Sequence, residues 1–232
     1  MKLKALVLLG CLLSLSAFGQ QSEVKSEVRN VGSFKGVKSA EAVDVYLKKG
    51  DKESLKVEVS GTTLSDVLTE ISGSYLKIHM RDDDHFGKKR DVKVYVTYVE
   101  LDKITASSAS NVFSDGAIKC GSMEIHASSA ANIEISLDAT DVRVHVSSAG
   151  DVILAGKAKT IETEASSAGE IDAYNLTVDT AESSVSSAGS VKLNVALELN
   201  AHASSGGSIR YRGNPTKTNT NSSSGGSVKR SN

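Results

Sequence analysis

The feature that most constrains this chain is a serine pair followed by Ala or Gly. It recurs seven times, beginning at Ser107, Ser128, Ser147, Ser166, Ser186, Ser204 and Ser223, at intervals of 21, 19, 19, 20, 18 and 19 residues. A period this short leaves no room for a helical crossover in each unit, so the units must stack as coils of strand.

Columns read through the copies say what each position does. Five residues after the first serine stand Val112, Ile133, Val152, Ile171, Val191, Ile209 and Val228, all β-branched, which marks an inward-facing column. Two further on are Ser114, Ile135, Leu154, Ala173, Leu193, Tyr211 and Arg230, mostly apolar until the last. Before the serines, Ala106, Ala127, Val146, Ala165, Val185, Ala203 and Ser222 form a small inward column, with Ile104, Ile125, Val144 and Thr163 two positions earlier. Apolar residues at spacing two on both flanks predict two short strands per repeat, with alternate side chains pointing out.

The motif between those strands reads as a corner. Its clearest copies are Ser147, Ser148, Ala149, Gly150, then Ser166, Ser167, Ala168, Gly169, then Ser186, Ser187, Ala188, Gly189. Small side chains permit a tight turn, the fourth-position glycine is expected to supply a positive φ, and the stacked serines are expected to hydrogen-bond along the axis. The predicted fold is all-β: a parallel β-solenoid of about 19-residue coils, stacked about 4.8 Å apart. An antiparallel barrel or sandwich is the alternative. It accommodates identical columns less well, because each coil must repeat its neighbour's direction.

The ends of such a stack need caps. The last copy, TNTNSSSGGSVKR, places Thr218, Thr220, Ser222 and Arg230 at inward positions and reads as a polar C-terminal cap. Residues 31–101 lack the serine period but carry the strand patterns AVDVYL, SLKVEVS, YLKIHM and VKVYVTYV, and are expected to start and cap the stack. No Pro- or Gly-rich linker separates the two parts. The expected division is a signal peptide over 1–19, a short tail over 20–30 and one domain over 31–232, with N-terminal strands to 101 and the serine repeats beyond.

The opening MKLKALVLLGCLLSLSAFGQ has two lysines, a short apolar run and small residues at its end, which predicts a secretory signal peptide cleaved near Gly19 or Gln20. A lipidated Cys11 is the alternative, disfavoured by the shortness of the apolar run before it. No later segment is apolar enough to span a bilayer. Without Lys2 and Lys4 the 27 basic residues fall to 25 against 28 acidic ones, a charge of −3 that argues against nucleic acid as a partner. Cleavage also leaves Cys120 as the sole cysteine, so no intrachain disulfide is available and Cys120 is expected to be a buried, inert thiol.

Three clusters carry conceivable chemistry. His126, His145 and Glu164 fall on consecutive coils in an outward column, where they could hold zinc; a solvated ladder is the preferred reading, since structural zinc wants four ligands in a tetrahedron rather than a line. The next outward column, Lys103, Glu124, Arg143, Glu162 and Glu182, alternates in sign at first and supports register. Asp151, Glu170 and Asp172 lie on two adjacent coils and are the carboxylates an enzyme on this scaffold would use, but the repeats hold no Trp and few rings to stack on a sugar. The acidic run in RDDDHFGKKRD, residues 81–91, reads as a charged hairpin tip rather than a calcium loop. No cofactor motif is present.

The ordered series FKGVKSAEAVDVYLKKGD, LKVEVSG, LKIHM, VKVYVTYVELDKITASSASNV and the run of SSAG corners resembles the auto-transporter adhesin head GIN domain family of Bacteroidetes-type bacteria, a domain of unknown function. The resemblance spans about Val31 to Lys229. It implies a right-handed parallel β-helix, export and an adhesin-like role, and it brings no catalytic residues. No pattern of a C-terminal membrane barrel or sorting domain precedes Asn232, so self-transport is not expected. The combined expectation is an exported, non-enzymatic solenoid that meets a surface glycan, matrix or envelope component, with self-association through sheet edges also open. A polysaccharide-acting enzyme and a periplasmic ligand-binding or envelope-assembly factor are the alternatives.

Overall fold

Each coil turns at its serine motif because two successive residues there take left-handed backbone. Ser148 and Ala149 have φ of 50° and 57°, Ser167 and Ala168 of 49° and 61°, and Ser187 and Ala188 of 50° and 60°. Left-handed geometry costs a non-glycine residue about 1–2 kcal/mol. The corners offset it by bonding to one another: the Ala149 N–H donates to Ser167 O at 3.1 Å, and the Ala168 N–H to Ser187 O at 3.1 Å. This computed structural model describes residues 23–81 and 90–231. The predicted signal peptide, Cys11 and residues 82–89 of the acidic run lie outside the described residues.

Two expectations about the corner are corrected. The fourth-position glycines do not take positive φ; that conformation belongs to the second and third positions, and only Gly206 and Gly225, which replace the third-position alanine, are glycines that need it. Gly150 and Gly226 are required by close approach instead, since a Cβ would lie 2.9 Å from the Ala127 carbonyl and 2.3 Å from that of Ala203. The axial hydrogen bonds are also main-chain ones: Ser147 N–H donates to Ala127 O and Ser166 N–H to Val146 O, both at 3.0 Å.

Between corners the chain runs as one bent strand rather than two separate ones. These strands are β9 (Asn111–Ala127), β10 (Asn132–Val146), β11 (Asp151–Ala165), β12 (Glu170–Val185) and β13 (Ser190–Ala203). All pair in parallel, β9 through β13 in order. The next coil is split into β14 (Ser208–Arg212) and β15 (Lys217–Ser222), and after the last corner β16 (Ser227–Arg230) stacks on β14 as a partial coil. The uneven intervals appear as register slips, between Glu134 and Ser136 for the long first interval and between Ile153 and Ala155 further on. The bend divides each coil into a leading wall, just after the corner, and a trailing wall, just before the next one.

The N-terminal strands are β1 (Lys25–Arg29), β2 (Gly36–Ser39), β3 (Asp44–Lys49), β4 (Ser54–Ser60), β5 (Val67–Ser72), β6 (Tyr75–Met80), β7 (Asp91–Tyr98) and β8 (Lys103–Ala106). Here β2 and β3 form a true coil, with Glu41 and Ala42 at φ of 64° and 58° in a corner that lacks the serine pair. The coil formed by β6 and β7 stacks on it in parallel. Above that, β4 and β5 run antiparallel and close the end, and β1 adds the outermost antiparallel strand. Arg29 reaches across this end, its guanidinium donating to Leu64 O and Val67 O at 2.6 Å each, which ties β1 to the turn that leads into β5. Spatial order on the leading wall is therefore β1, β4, β7, β3, β9, β10, which departs from chain order.

Packing follows the predicted columns. Val112, Ile133, Val152, Ile171, Val191 and Ile209 are all 0% exposed, joined on the N-terminal side by Val45 and Val94. On the trailing wall, Ile104, Ile125 and Val144 are fully buried, and the column continues as Thr163 and Ser183. The Thr163 hydroxyl donates to Ser183 Oγ at 2.8 Å, so these two buried polar groups satisfy each other.

Candidate functional site

With the interior filled by small aliphatic side chains, chemistry on the described residues lies on the outer faces of the two walls. On the trailing wall, β9 to β11 bring His126, His145 and Glu164 together as expected. The two imidazoles stack, with centroids 5.0 Å apart and 11° between planes. Stacked rings keep their nitrogens in parallel planes, and each turns to its own carboxylate: His126 Nε2 lies 2.5 Å from Glu124 Oε1, and His145 Nδ1 lies 3.1 Å from Glu164 Oε2. Among the described residues no group of three or more His, Cys, Asp or Glu side chains is placed to hold a metal ion. The charged column beside it pairs Lys103 with Glu124 at 2.8 Å and Arg143 with Glu162 at 3.4 Å. The Lys103 ammonium, helped by His126, holds the Glu124 carboxyl below its usual range.

Cys120 is half-buried rather than fully buried as expected, because its strand position packs at the edge of the core. Burial still pushes its thiol upward in pKa, which keeps it protonated and unreactive at neutral pH.

On the leading wall, Asp151, Glu170 and Asp172 are also brought together. Lys192 reaches between two of them, at 2.8 Å from Glu170 Oε1 and 3.1 Å from Asp172 Oδ2. Burial, with Glu170 and Asp172 beside it, pushes the Asp151 carboxyl above its usual range. Asn132, its register partner on β10, has a buried Oδ1 with no hydrogen-bond partner. Ionised Asp151 has no proton to donate to it. A carboxyl raised in the folded state opposes folding at neutral pH, and this opposition is relieved as pH falls through its folded pKa. Asp151→Asn is therefore expected to stabilise the protein at pH 7 by up to about 1 kcal/mol, as relief of like charges on neighbouring strands does. Thermal melts at pH 7 and on acidification check this, since the advantage should shrink as the wild-type carboxyl takes up its proton.

The leading wall also holds a feature that residue patterns alone did not reveal. Tyr95 on β7, Tyr46 on β3 and Phe113 on β9 occupy one outward column. Their rings stack at 5.2 Å and 5.3 Å, with interplanar angles of 20° and 23°. Lys56 on β4 stands at the head of this ladder, its Nζ 5.9 Å from the Tyr95 centroid. Beside it runs a polar column of Asp44, Asn111, Asn132, Asp151 and Glu170 on successive strands, within which Asn111 Nδ2 donates to Asp44 Oδ1 at 2.7 Å. The signal in the sequence was the shared pattern VDVYL, VKVYV and SNVFS, with a ring at the fourth position in each.

Residues 33–215 match the family described as "Putative auto-transporter adhesin, head GIN domain". The chain belongs to this family. A crystal structure described as a putative adhesin from Bacteroides fragilis NCTC 9343 has a TM-score of 0.80 at 20% identity, covering 90% of this chain and 97% of that one. Two structures from Parabacteroides distasonis ATCC 8503 are also similar. One, described as a putative adhesin, has a TM-score of 0.71 at 18% identity, over 90% of this chain and 98% of that one. The other, described as a putative lipid binding protein, has a TM-score of 0.69 at 16% identity, over 90% and 97%. Among curated proteins none matches. At these identities the likeness establishes the β-solenoid fold, and the head GIN family membership makes the chain adhesin-like. Among the described residues no helix is long and apolar enough to cross a membrane.

Proposed function

We propose that this head GIN protein is an exported, non-enzymatic binding protein that attaches to a component of a cell surface, matrix or envelope. The observation that carries the reading is the pair of outer walls, on which side chains repeat in register from coil to coil and form long, flat, ordered surfaces. Such surfaces suit an extended partner. The description of its family as an adhesin head supports the same conclusion. Against an enzyme, Glu170 and Asp172 of the leading-wall carboxylate cluster are both tied up by Lys192 rather than left free for acid–base work.

A second reading, a ligand-binding factor, draws on a cavity of about 560 Å³ among the strand-end loops, lined by Phe34, Val99, Lys35 and Glu100. Its size is that of small-molecule sites. The deciding experiment probes glycan and matrix-protein arrays with the purified mature protein and then analyses bound glycans by mass for cleavage. Binding without cleavage is expected. Cleavage would replace the adhesion reading with an enzyme, and capture of a small apolar ligand without array binding would favour the cavity.

A further inference from the structure

We propose that the outer face of the leading wall, from β4 to β12, binds an uncharged linear polysaccharide laid along the solenoid axis. The inference rests on the adhesion reading and names its surface and its ligand chemistry.

The face is amphipathic in stripes. One stripe is the ladder of Tyr95, Tyr46 and Phe113, with Lys56 on β4 at its head. Tyr95, the end ring of the stack, is 38% exposed. The parallel stripe is the column from Asp44 to Glu170, rich in hydrogen-bond acceptors. A sugar ring has matching halves: apolar C–H surface that packs on aromatic carbon, and hydroxyls that donate to carboxylates and amides. Extended chains of such rings advance by about one strand spacing per unit, so successive sugars meet successive coils. Stacking already fixes the rings, so little side-chain freedom is lost on binding.

Charge selects among glycans. Asp44, Glu58, Glu134, Asp151, Glu170 and Asp172 outnumber Lys56, Lys93 and Lys192 across the face, and a sulfated or uronic chain would meet repulsion. An extended peptide is excluded on other grounds, because it pairs with a sheet edge, and this is a sheet face whose main-chain groups are already bonded.

The test is affinity electrophoresis and calorimetry of the mature protein with soluble β-glucan, mannan and chito-oligosaccharides, against heparin and polygalacturonate. At least one neutral chain is expected to bind. The double variant Tyr46→Ala, Tyr95→Ala should weaken it tenfold or more, whereas Tyr46→Phe, Tyr95→Phe should retain binding within about twofold, on the scale of aromatic contacts. If the alanine pair fails to fold, Tyr95→Ser alone, at the exposed end, is expected to weaken binding severalfold. Preference for heparin or polygalacturonate, or unchanged binding by a folded alanine variant, overturns the inference. Wild-type protein that binds whole cells but no neutral glycan overturns it while leaving adhesion standing, and protein that binds neither removes both.

Discussion

Gly156→Ala should cost this protein about 3 kcal/mol or more, the sum of left-handed strain and a steric clash that nothing can relieve. Gly156 has φ of +105°, and a Cβ there would stand 2.1 Å from the Leu137 carbonyl oxygen of the preceding coil. That oxygen belongs to the stacked main chain, so relief requires opening the ladder between β10 and β11. Gly116 provides the contrast: its φ is +88°, but nothing lies within 4 Å of the added atom. Gly116→Ala should cost only the backbone term, about 1–2 kcal/mol. Urea denaturation of both variants separates the two contributions. Equal losses would mean that the coils are not in contact at Gly156 as described.

Val152→Asp should be more damaging still, with a loss above about 4 kcal/mol and accumulation of unfolded protein. Val152 is 0% exposed and lies between Ile133 and Ile171 in the central column, where a carboxylate would find neither water nor a counter-charge. Ile153→Asp, one residue on, is the control. Ile153 faces outward between Glu134 and Asp172, so its replacement should cost under about 1 kcal/mol, from like-charge repulsion. Far-ultraviolet circular dichroism and soluble yield distinguish the two. Because side chains alternate across a strand, similar behaviour would place the register one residue out.

The Val152 prediction was legible in the residues, whereas the Gly156 one rests on the stacked coils alone. The inward column from Val112 to Val228 was readable because a 19-residue period repeats each environment, and its members from Val112 to Ile209 are buried as expected. The clustering of His126 with His145, and of Asp151 with Glu170 and Asp172, followed from the same period. What the period does not encode is the direction in which side chains turn. His126 and His145 stack face to face and address separate carboxylates, and Lys192 enters the acidic cluster from β13; both outcomes depend on rotamer packing among neighbours.

By itself, then, the sequence determined the architecture of the repeats: coil length, inward columns and corner positions. Each depends on local periodicity, which survives translation along the chain. The tertiary structure alone decided the order of the N-terminal coils and hence the aromatic ladder. Tyr46 precedes Tyr95 in the chain but follows it in space, because β7 inserts between β4 and β3. That insertion is a choice among strand pairings of similar local pattern, settled by which arrangement closes the end of the core with an antiparallel coil and Arg29. The corner chemistry was decided in the same way. A glycine in the motif suggests positive φ when read alone, whereas the stacked coils put Ser148 and Ala149 in that conformation and leave Gly150 no space for a Cβ against the Ala127 carbonyl.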